Sequence, residues 1–147
     1  MSAMAREIAI LLAEREINAL IQRYCHCMDL GDEAGWVGCF TETALFDVRH
    51  RNGDVVHIEN GRAELARYIA GYPKPPEMRR HLYSATLLDV DVEAGRASGE
   101  SYWTLLASGP GGAGLVLAAF GRASDRFVRG ADGWRIERRL AVAEAMA

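Results

Sequence analysis

Apolar positions recur at helical spacing in the first part of the chain. Between Ala5 and Leu30 they form a single stripe, which predicts a long amphipathic helix with one buried side. The stripe consists of Ile17, Leu20, Ile21, Tyr24 and Met28. Gly31 is a residue type that ends helices, and Asp32 then caps a short second helix that continues to Phe40. Gly61 opens a third helix, which the following proline-rich segment must end.

Elsewhere apolar residues alternate with polar ones, as they do in strands. Runs at 44–48 and 55–58 flank the turn residues 51–54, and this arrangement predicts a β-hairpin. Longer alternating runs follow at 79–93, 97–107, 115–129 and 134–142. The glycine-rich segment 109–114 joins two of these strands, so we predict a hairpin connection; a phosphate-binding loop would precede a helix. Three helices and meandering antiparallel strands predict one α+β domain over residues 1–147.

Composition fits a globular chain of about one domain. The chain has 147 residues, of which 50% are hydrophobic and 25% charged, and its net charge is −3. This charge supplies no basic patch, so we do not expect a nucleic-acid partner. The longest apolar run near the start, residues 8–13, is too short for a membrane span or a secretory signal. A cytoplasmic protein without a membrane partner is therefore expected.

The cysteines are concentrated in one stretch, as Cys25, Cys27 and Cys39. Cys25, His26 and Cys27 could suggest a metal site, but neighbouring positions on a helix point in different directions. A second cluster that would complete the four ligands of structural zinc is missing from the sequence. We therefore predict reduced thiols, with neither a metal nor a cofactor.

Several segments resemble a known family. Residues 15–32, Trp36 and residues 40–46 are similar to the opening of SnoaL-like proteins, which belong to the superfamily of nuclear transport factor two, ketosteroid isomerase and scytalone dehydratase. Later landmarks follow in the right order at 61–65, 80–82, 101–103 and 132–136. The resemblance covers about residues 5–142. It implies a cone-shaped, strongly curved antiparallel sheet around a pocket that the three N-terminal helices close.

The resemblance also implies an acid/base pair. Asp29 and His81 fall on the positions where dehydratases and dehydrochlorinases of this fold carry a carboxylate and a histidine, and Tyr24 matches a tyrosine of the bile-acid dehydratase branch. A histidine can remove an activated C–H proton, a carboxylate can fix its tautomer, and a tyrosine can polarise a carbonyl. In a regular helix Asp29 points roughly 140° away from Tyr24. We therefore expect the helix to end early at Gly31, so that Asp29 turns inward.

The candidate substrate-binding residues are mostly aromatic. They are Trp36, Phe40, Phe46, Tyr83, Ser101, Trp103 and Phe120. Ser101 stands where scytalone dehydratase has a second histidine, so the dehydratase set is incomplete. Alternation predicts that His81, Tyr83, Ala85 and Leu87 share the inner face of their strand. The remaining polar candidates are predicted to lie outside the pocket: His26, His50 and His57 exposed, and Arg135, Arg138 and Arg139 facing solvent or a partner chain.

Two functions remain open at this point. The first is a small cofactor-independent lyase or isomerase, dehydratase-like or cyclase-like, that acts on a hydrophobic cyclic molecule through His81 and Asp29. The second is a non-catalytic binding or assembly module, as in a nuclear transport factor or a dioxygenase small subunit. One face of an open sheet stays uncovered in either case, so a homo-oligomer is expected, a dimer first and a trimer as the alternative.

Overall fold

The computed structural model describes residues 1–109 and 112–147. The helices are α1 (Ala3–Leu30), α2 (Glu33–Val37) and α3 (Arg62–Ala70), and the strands are β1 (Phe40–His50), β2 (Val55–Asn60), β3 (Arg79–Asp91), β4 (Arg96–Ser108), β5 (Leu115–Gly130) and β6 (Gly133–Met146). The predicted elements are all present and the α+β class is confirmed. Phe40 begins β1 instead of ending the second helix. The predicted connection at 109–114 includes residues 110 and 111, which lie outside the described residues.

The six strands form one curved sheet in the order β2-β1-β6-β5-β4-β3. Neighbouring strands are antiparallel except β1 and β6, which are parallel, with Phe46 opposite Arg139. The expectation of a purely antiparallel sheet is therefore wrong at one pairing. Parallel neighbours need a long crossover, and here the intervening chain from β2 to β5 provides it.

Helix α1 covers the inner side of the sheet and supplies eight of the 21 buried residues in the hydrophobic cluster of the described chain. The Ser2 hydroxyl caps its start by accepting the N–H of Ala5 at 3.1 Å. Its buried face packs mainly on β3 and also contacts β6. The ring of Tyr24 lies in an aromatic cluster with Trp36 and Phe40, whose side chains are fully buried. Truncating such an aromatic side chain to alanine costs about 3–5 kcal/mol.

A β-bulge changes which residues of β3 face inward. The pairing of β3 with β4 shifts by one residue between Ser84 and Leu87, where Ala85 adopts a positive φ of 50°. Before the bulge His81 and Tyr83 face inward as predicted, but after it Thr86 is turned inward and Leu87 is 74% exposed. The predicted inner positions of Ala85 and Leu87 are thus wrong, because the extra residue reverses the alternation.

A second bulge, at Glu137 on β6, brings a charged side chain into the core. The pairing of β6 with β5 shifts between Ile136 and Arg138. Without this shift, a strand with Ile136 inside would place Arg139 outside, as the sequence predicted. Instead Arg139 is fully buried, whereas Arg135 and Arg138 stay partly exposed.

Candidate active site

The side chains of Asp29 and His81 meet in the structure. Asp29 Oδ1 lies 2.6 Å from His81 Nδ1, and Asp29 Oδ2 accepts the backbone N–H of His81 at 2.9 Å. Only 5% of the Asp29 side chain and 10% of the His81 side chain are exposed. The carboxylate therefore faces two donors of one residue, which assigns the ring hydrogen to Nδ1. This tautomer leaves a lone pair on His81 Nε2.

Asp29 reaches His81 from an unbroken helix. Helix α1 continues through Leu30 and ends at Gly31, whose φ is 80°, so the predicted end of the helix is confirmed and Asp29 is itself helical. Cys25, one turn before Asp29, is buried as well, because this flank of α1 packs on β3. A carboxylate in the last turn opposes the helix dipole by about 0.3–1 kcal/mol. The two hydrogen bonds to His81 offset this cost.

Tyr72 approaches the imidazole from the other side. Its hydroxyl lies 3.4 Å from His81 Nε2, at the long end of the hydrogen-bond range. Burial raises the pKa of Tyr72, and Arg79, which lies 5.5 Å from its ring centroid, partly opposes the shift. The hydroxyl thus stays protonated at neutral pH. Tyr72 was not predicted as a site residue, because it lies in the proline-rich segment that ends α3 and the path of that segment back to β3 has no local signature.

A cavity of about 210 Å³ lies within the curve of the sheet, beside this pair. All six strands contribute to its lining, together with α1 and α3. Its aromatic members are Tyr24, Phe46, Tyr68, Tyr72, Tyr83 and Trp103. Polar nitrogen groups come from His57, Arg79 and His81. A mostly apolar wall with a few placed polar groups is typical of a small-molecule site.

A second depression, of about 430 Å³, lies between α1 and β3, and it also touches Asp29 and His81. We place the candidate site in the inner cavity, because Tyr72 lines that cavity and lies beside the free nitrogen of His81. The outer depression meets the pair from the Asp29 side, where the carboxylate is already occupied by His81.

Four predicted substrate-binding residues do not line the inner cavity. Trp36 and Phe40 lie in the core instead. Their ring centroids are 4.8 Å apart, and both rings pack against that of Tyr24. Ser101 is buried on β4, where its hydroxyl shares a hydrogen bond of 3.0 Å with Thr86. The structure therefore places these three buried side chains away from the lining of the cavity.

Phe120 is the fourth, and it lies on the outer face of the sheet. Alternation along β5 places Ala119 and Gly121 on the inner face, so Phe120 points outward and is 44% exposed. Of the predicted aromatic wall, Phe46, Tyr83 and Trp103 do line the cavity.

A buried ion pair supports the tyrosines of the cavity. Arg139 binds Asp125 through two hydrogen bonds of 2.8 Å, from Nε to Oδ1 and from Nη2 to Oδ2. The guanidinium carbon of Arg139 lies 4.2 Å from the ring centroid of Tyr24 and 4.4 Å from that of Tyr83. Such a contact is worth about 2 kcal/mol where the cation is desolvated. Arg139 and Asp125 therefore fix the positions of both rings.

The same environment keeps the hydroxyls of Tyr24 and Tyr83 protonated. Burial raises the pKa of Tyr24 well above its usual value, and the nearby cation of Arg139 only partly opposes the shift. Burial raises the pKa of Tyr83 in the same way. Both side chains are neutral hydrogen-bond donors across the physiological range.

The prediction that His57 is exposed is wrong. Its ring lines the cavity and stacks on Tyr68, with ring centroids 4.4 Å apart and planes at 25°. Glu59 holds the ring through a contact of 2.7 Å to Nδ1. His57 was missed because it lies beside a hairpin turn, where side chains are usually solvated. His26 and His50 are exposed, as predicted.

Neither a cluster of metal ligands nor a membrane-spanning helix is found in the described residues, 1–109 and 112–147. Within them no three His, Cys, Asp or Glu side chains are grouped closely enough to hold a metal ion. None of the three helices described has a sufficiently long apolar stretch to cross a membrane, α1 included.

Comparison with known proteins identifies the class to which this fold and this cavity belong. The model of the SnoaL-like domain family matches residues 9–140, so the chain belongs to the SnoaL-like family. Among curated proteins there is no match.

Solved structures with the same fold have diverse descriptions. An NTF2-like protein with a cystatin-like fold from Novosphingobium aromaticivorans superposes with a TM-score of 0.80 at 22% identity, over 95% of this chain and 87% of that one. The beta subunit of a putative aromatic-ring-hydroxylating dioxygenase from the same organism superposes with a TM-score of 0.81 at 20% identity, over 94% of this chain and 93% of that one. ActVI-ORFA from Streptomyces coelicolor superposes with a TM-score of 0.73 at 22% identity, over 88% of this chain and 96% of that one. At these identities the similarity shows the shared fold alone.

Proposed function

We propose that this protein is a cofactor-independent lyase or isomerase that removes a proton from carbon in a small hydrophobic molecule. The observation that supports this most strongly is the contact of 2.6 Å between Asp29 and His81 at the edge of an apolar cavity. A buried carboxylate that orients a histidine is an arrangement that supports general-base catalysis.

In this mechanism His81 is the base. Its Nε2 lone pair accepts the proton of an activated C–H bond, and Asp29 stabilises the imidazolium that forms. Tyr72 moves aside from Nε2 when substrate enters, which its long contact of 3.4 Å permits. Tyr24 is a protonated donor in the same cavity, so it can hydrogen-bond the carbonyl oxygen on which negative charge develops.

The cavity limits the substrate class. Pockets for drug-sized ligands have volumes of about 300–1,000 Å³, and the cavity measures about 210 Å³. A compact molecule of one or two rings suits this volume. Phe46, Tyr83 and Trp103 would contact its apolar surface, which is why we propose a hydrophobic cyclic ketone or a related carbon acid.

The first experiment measures proton removal directly. In D₂O the enzyme should catalyse exchange of the C2 hydrogens of 1-indanone, followed by proton NMR. His81→Gln should remove this catalysis, and the matched control His50→Gln, which changes an exposed histidine of the hairpin, should retain it. Absence of enzyme-dependent exchange, or exchange that persists in His81→Gln, would contradict the proposal.

The alternative is a non-catalytic assembly module. The observation that would support it is the set of exposed apolar residues on the outer face of the sheet. Among these residues Leu87, Tyr102 and Phe120 are 74%, 58% and 44% exposed. Because exposed apolar residues lie on this outer face, we also propose that the protein forms a homo-oligomer, with a dimer as the preferred state. This assembly is compatible with either function. We propose a cytoplasmic location because all three cysteines are free.

A further inference from the structure

One cation lies in the wall of the inner cavity without a carboxylate partner. Among the described residues that line this cavity, Arg79 is the only arginine or lysine, and it is partly buried. Its guanidinium forms no salt bridge with a carboxylate of the described chain. A partly buried charge without a partner raises the free energy of the folded protein. Such a residue is expected where a ligand supplies the opposite charge.

The contacts of Arg79 within the described chain use only part of its hydrogen-bonding capacity. Its guanidinium carbon lies 5.5 Å from the ring centroid of Tyr72, so the cation contacts an aromatic ring. The charge of Arg79 and a hydrogen bond from it also lower the pKa of Tyr72, against the effect of burial. A guanidinium carries several N–H donors in a planar fork, and one hydroxyl oxygen cannot accept all of them. Donors of Arg79 are therefore available to a ligand in the cavity.

The carboxylates beside the cavity are already engaged by its two histidines. Asp29 accepts the backbone N–H of His81 at 2.9 Å and lies 2.6 Å from Nδ1 of the same residue. Glu59 lies 2.7 Å from His57 Nδ1. The salt bridges of both carboxylates are made with these histidines and not with Arg79. The charge of Arg79 therefore has no compensating ion pair in the described part of the chain.

Arg79 lies on the same face of β3 as the proposed base. The inward residues of this part of the strand alternate with exposed ones, and Arg79, His81 and Tyr83 all line the inner cavity. Residues two positions apart on a strand are separated by about 7 Å. A molecule of one or two rings can span that distance. One end of such a molecule can thus contact Arg79 while a ring carbon lies next to His81 Nε2.

We propose that Arg79 is a specificity-determining residue of the cavity, and that it binds the carboxylate of a small cyclic acid. This proposal rests on the proposed function for the role of His81, and it narrows the substrate class to cyclic keto acids. The guanidinium fork matches both oxygens of a carboxylate. The hydroxyls of Tyr68 and Tyr72 lie in the same wall, and burial keeps them protonated, so they can donate further hydrogen bonds. A carboxylate held in this way fixes the position of the ring relative to His81.

Binding of two matched probes tests this inference without any need for catalysis. Indane-1-carboxylate and indane-1-carboxamide share one ring system and have nearly the same shape, but only the first is charged. Isothermal titration calorimetry should show that wild type binds the carboxylate about 10- to 100-fold more tightly than the amide, as charge-assisted hydrogen bonds imply. Arg79→Gln should lose this preference. The matched control Arg67→Gln, which changes an exposed arginine of α3, should retain it.

Titrations at two pH values separate Arg79 from the histidines of the cavity. An arginine stays charged throughout, whereas a histidine that held the carboxylate would lose its charge above its ordinary pKa of about 6.5. The remaining titratable side chains in or beside the cavity are Asp29, Glu59, Tyr24, Tyr68, Tyr72 and Tyr83. The preference for the carboxylate should be the same at about pH 6 and about pH 9. A preference that disappears at the higher pH would assign the anion to His57 or His81 and overturn the inference.

The outcomes separate this inference from the proposed function. Equal affinities of wild type for the two probes, or binding of neither, would overturn the inference without any variant having to fold. A preference that persists in Arg79→Gln would also overturn it. Catalysis is measured separately, by C2 exchange in D₂O: kcat/KM for 3-oxoindane-1-carboxylate should exceed that for 1-indanone at least about tenfold in wild type, but not in Arg79→Gln. Selective binding without exchange of either ketone would support the carboxylate site and overturn only the proposed base.

Discussion

Replacing Asp29 by asparagine tests the site most directly, because it removes one acceptor oxygen and little else. In the native structure two donors, the backbone N–H and the Nδ1–H of His81, each face one carboxylate oxygen. Asparagine has one oxygen and one NH₂ group. The backbone N–H cannot change, so it retains the oxygen, and the NH₂ group then faces Nδ1.

This arrangement forces His81 into the other tautomer. A hydrogen on Nε2 faces the cavity, and the ring can no longer accept a proton there. Loss of the tautomer-fixing carboxylate in a catalytic triad lowers kcat by about 10⁴-fold, which is ~5.4 kcal/mol at ~1.36 kcal/mol per tenfold. We expect a loss of this order in the C2 exchange of 1-indanone. The cost to folding should be about 1–3 kcal/mol, the penalty for an impaired buried hydrogen bond.

Two measurements check the reasoning. Long-range ¹H–¹⁵N spectra of the histidine rings should show Nδ1 protonated in wild type and Nε2 protonated in Asp29→Asn. Asp32→Asn is the matched control. Asp32 caps α2 by accepting the N–H of Gly35 at 2.9 Å, its other oxygen lies 3.6 Å from Cys27 Sγ, and asparagine caps equally well. An Asp29→Asn protein with the native tautomer, or with more than a tenth of the native exchange rate, would refute the argument.

Four other predictions follow from the structure. Phe120→Asp should convert the proposed dimer to a monomer in sedimentation velocity, because it places a charge on the exposed outer face; an unchanged sedimentation coefficient would exclude that face as the interface. Arg139→Met should lower the free energy of unfolding in urea by about 3–5 kcal/mol, because it leaves Asp125 buried and unpaired. Ala85→Gly should raise stability by about 1 kcal/mol, since glycine adopts the φ of 50° without the side-chain clash; a decrease would mean that the methyl group contributes packing. Burial raises the pKa of Cys25 from 9.0 to about 11. The unfolded thiol therefore ionises first as the pH rises, so this residue's contribution to stability is intact below pH 9 and decreases by about 3 kcal/mol up to about pH 11. Cys25→Ala should remove that part of the pH dependence, and parallel curves for the two proteins would contradict the assignment.

The sequence was sufficient to predict the helices and strands, and also the pairing of Asp29 with His81. The apolar spacing around Tyr24 predicted α1, and the family resemblance matched Asp29 with His81. Asp29 was expected to turn inward because the helix ends at Gly31, but its orientation results from packing of a whole helix flank on β3, a contact between distant segments. Amphipathic spacing within α1 cannot show where a second packing partner lies.

The remaining errors share a cause in the pairing of strands. Leu87 and Arg139 changed faces because a bulge precedes each of them, and a bulge is defined by the partner strand. His57 lines the cavity because the sheet curves so that its two edge strands, β2 and β3, both border that cavity. Such placements depend on the register across the whole sheet, which alternation within a single strand does not contain.

The parallel pairing of β1 with β6 also has a consequence for biosynthesis. β1 ends at His50 and β6 begins at Gly133, so about 80 residues must be translated between them, which takes ~4–16 s at about 5–20 residues per second. During that interval β6, a central strand of the sheet, has not yet been synthesised. The apolar side of α1 therefore lacks part of the surface on which it packs. Long-range pairings of this kind also slow folding itself. The nascent chain therefore exposes the apolar side of α1 for several seconds before the centre of the sheet has been synthesised.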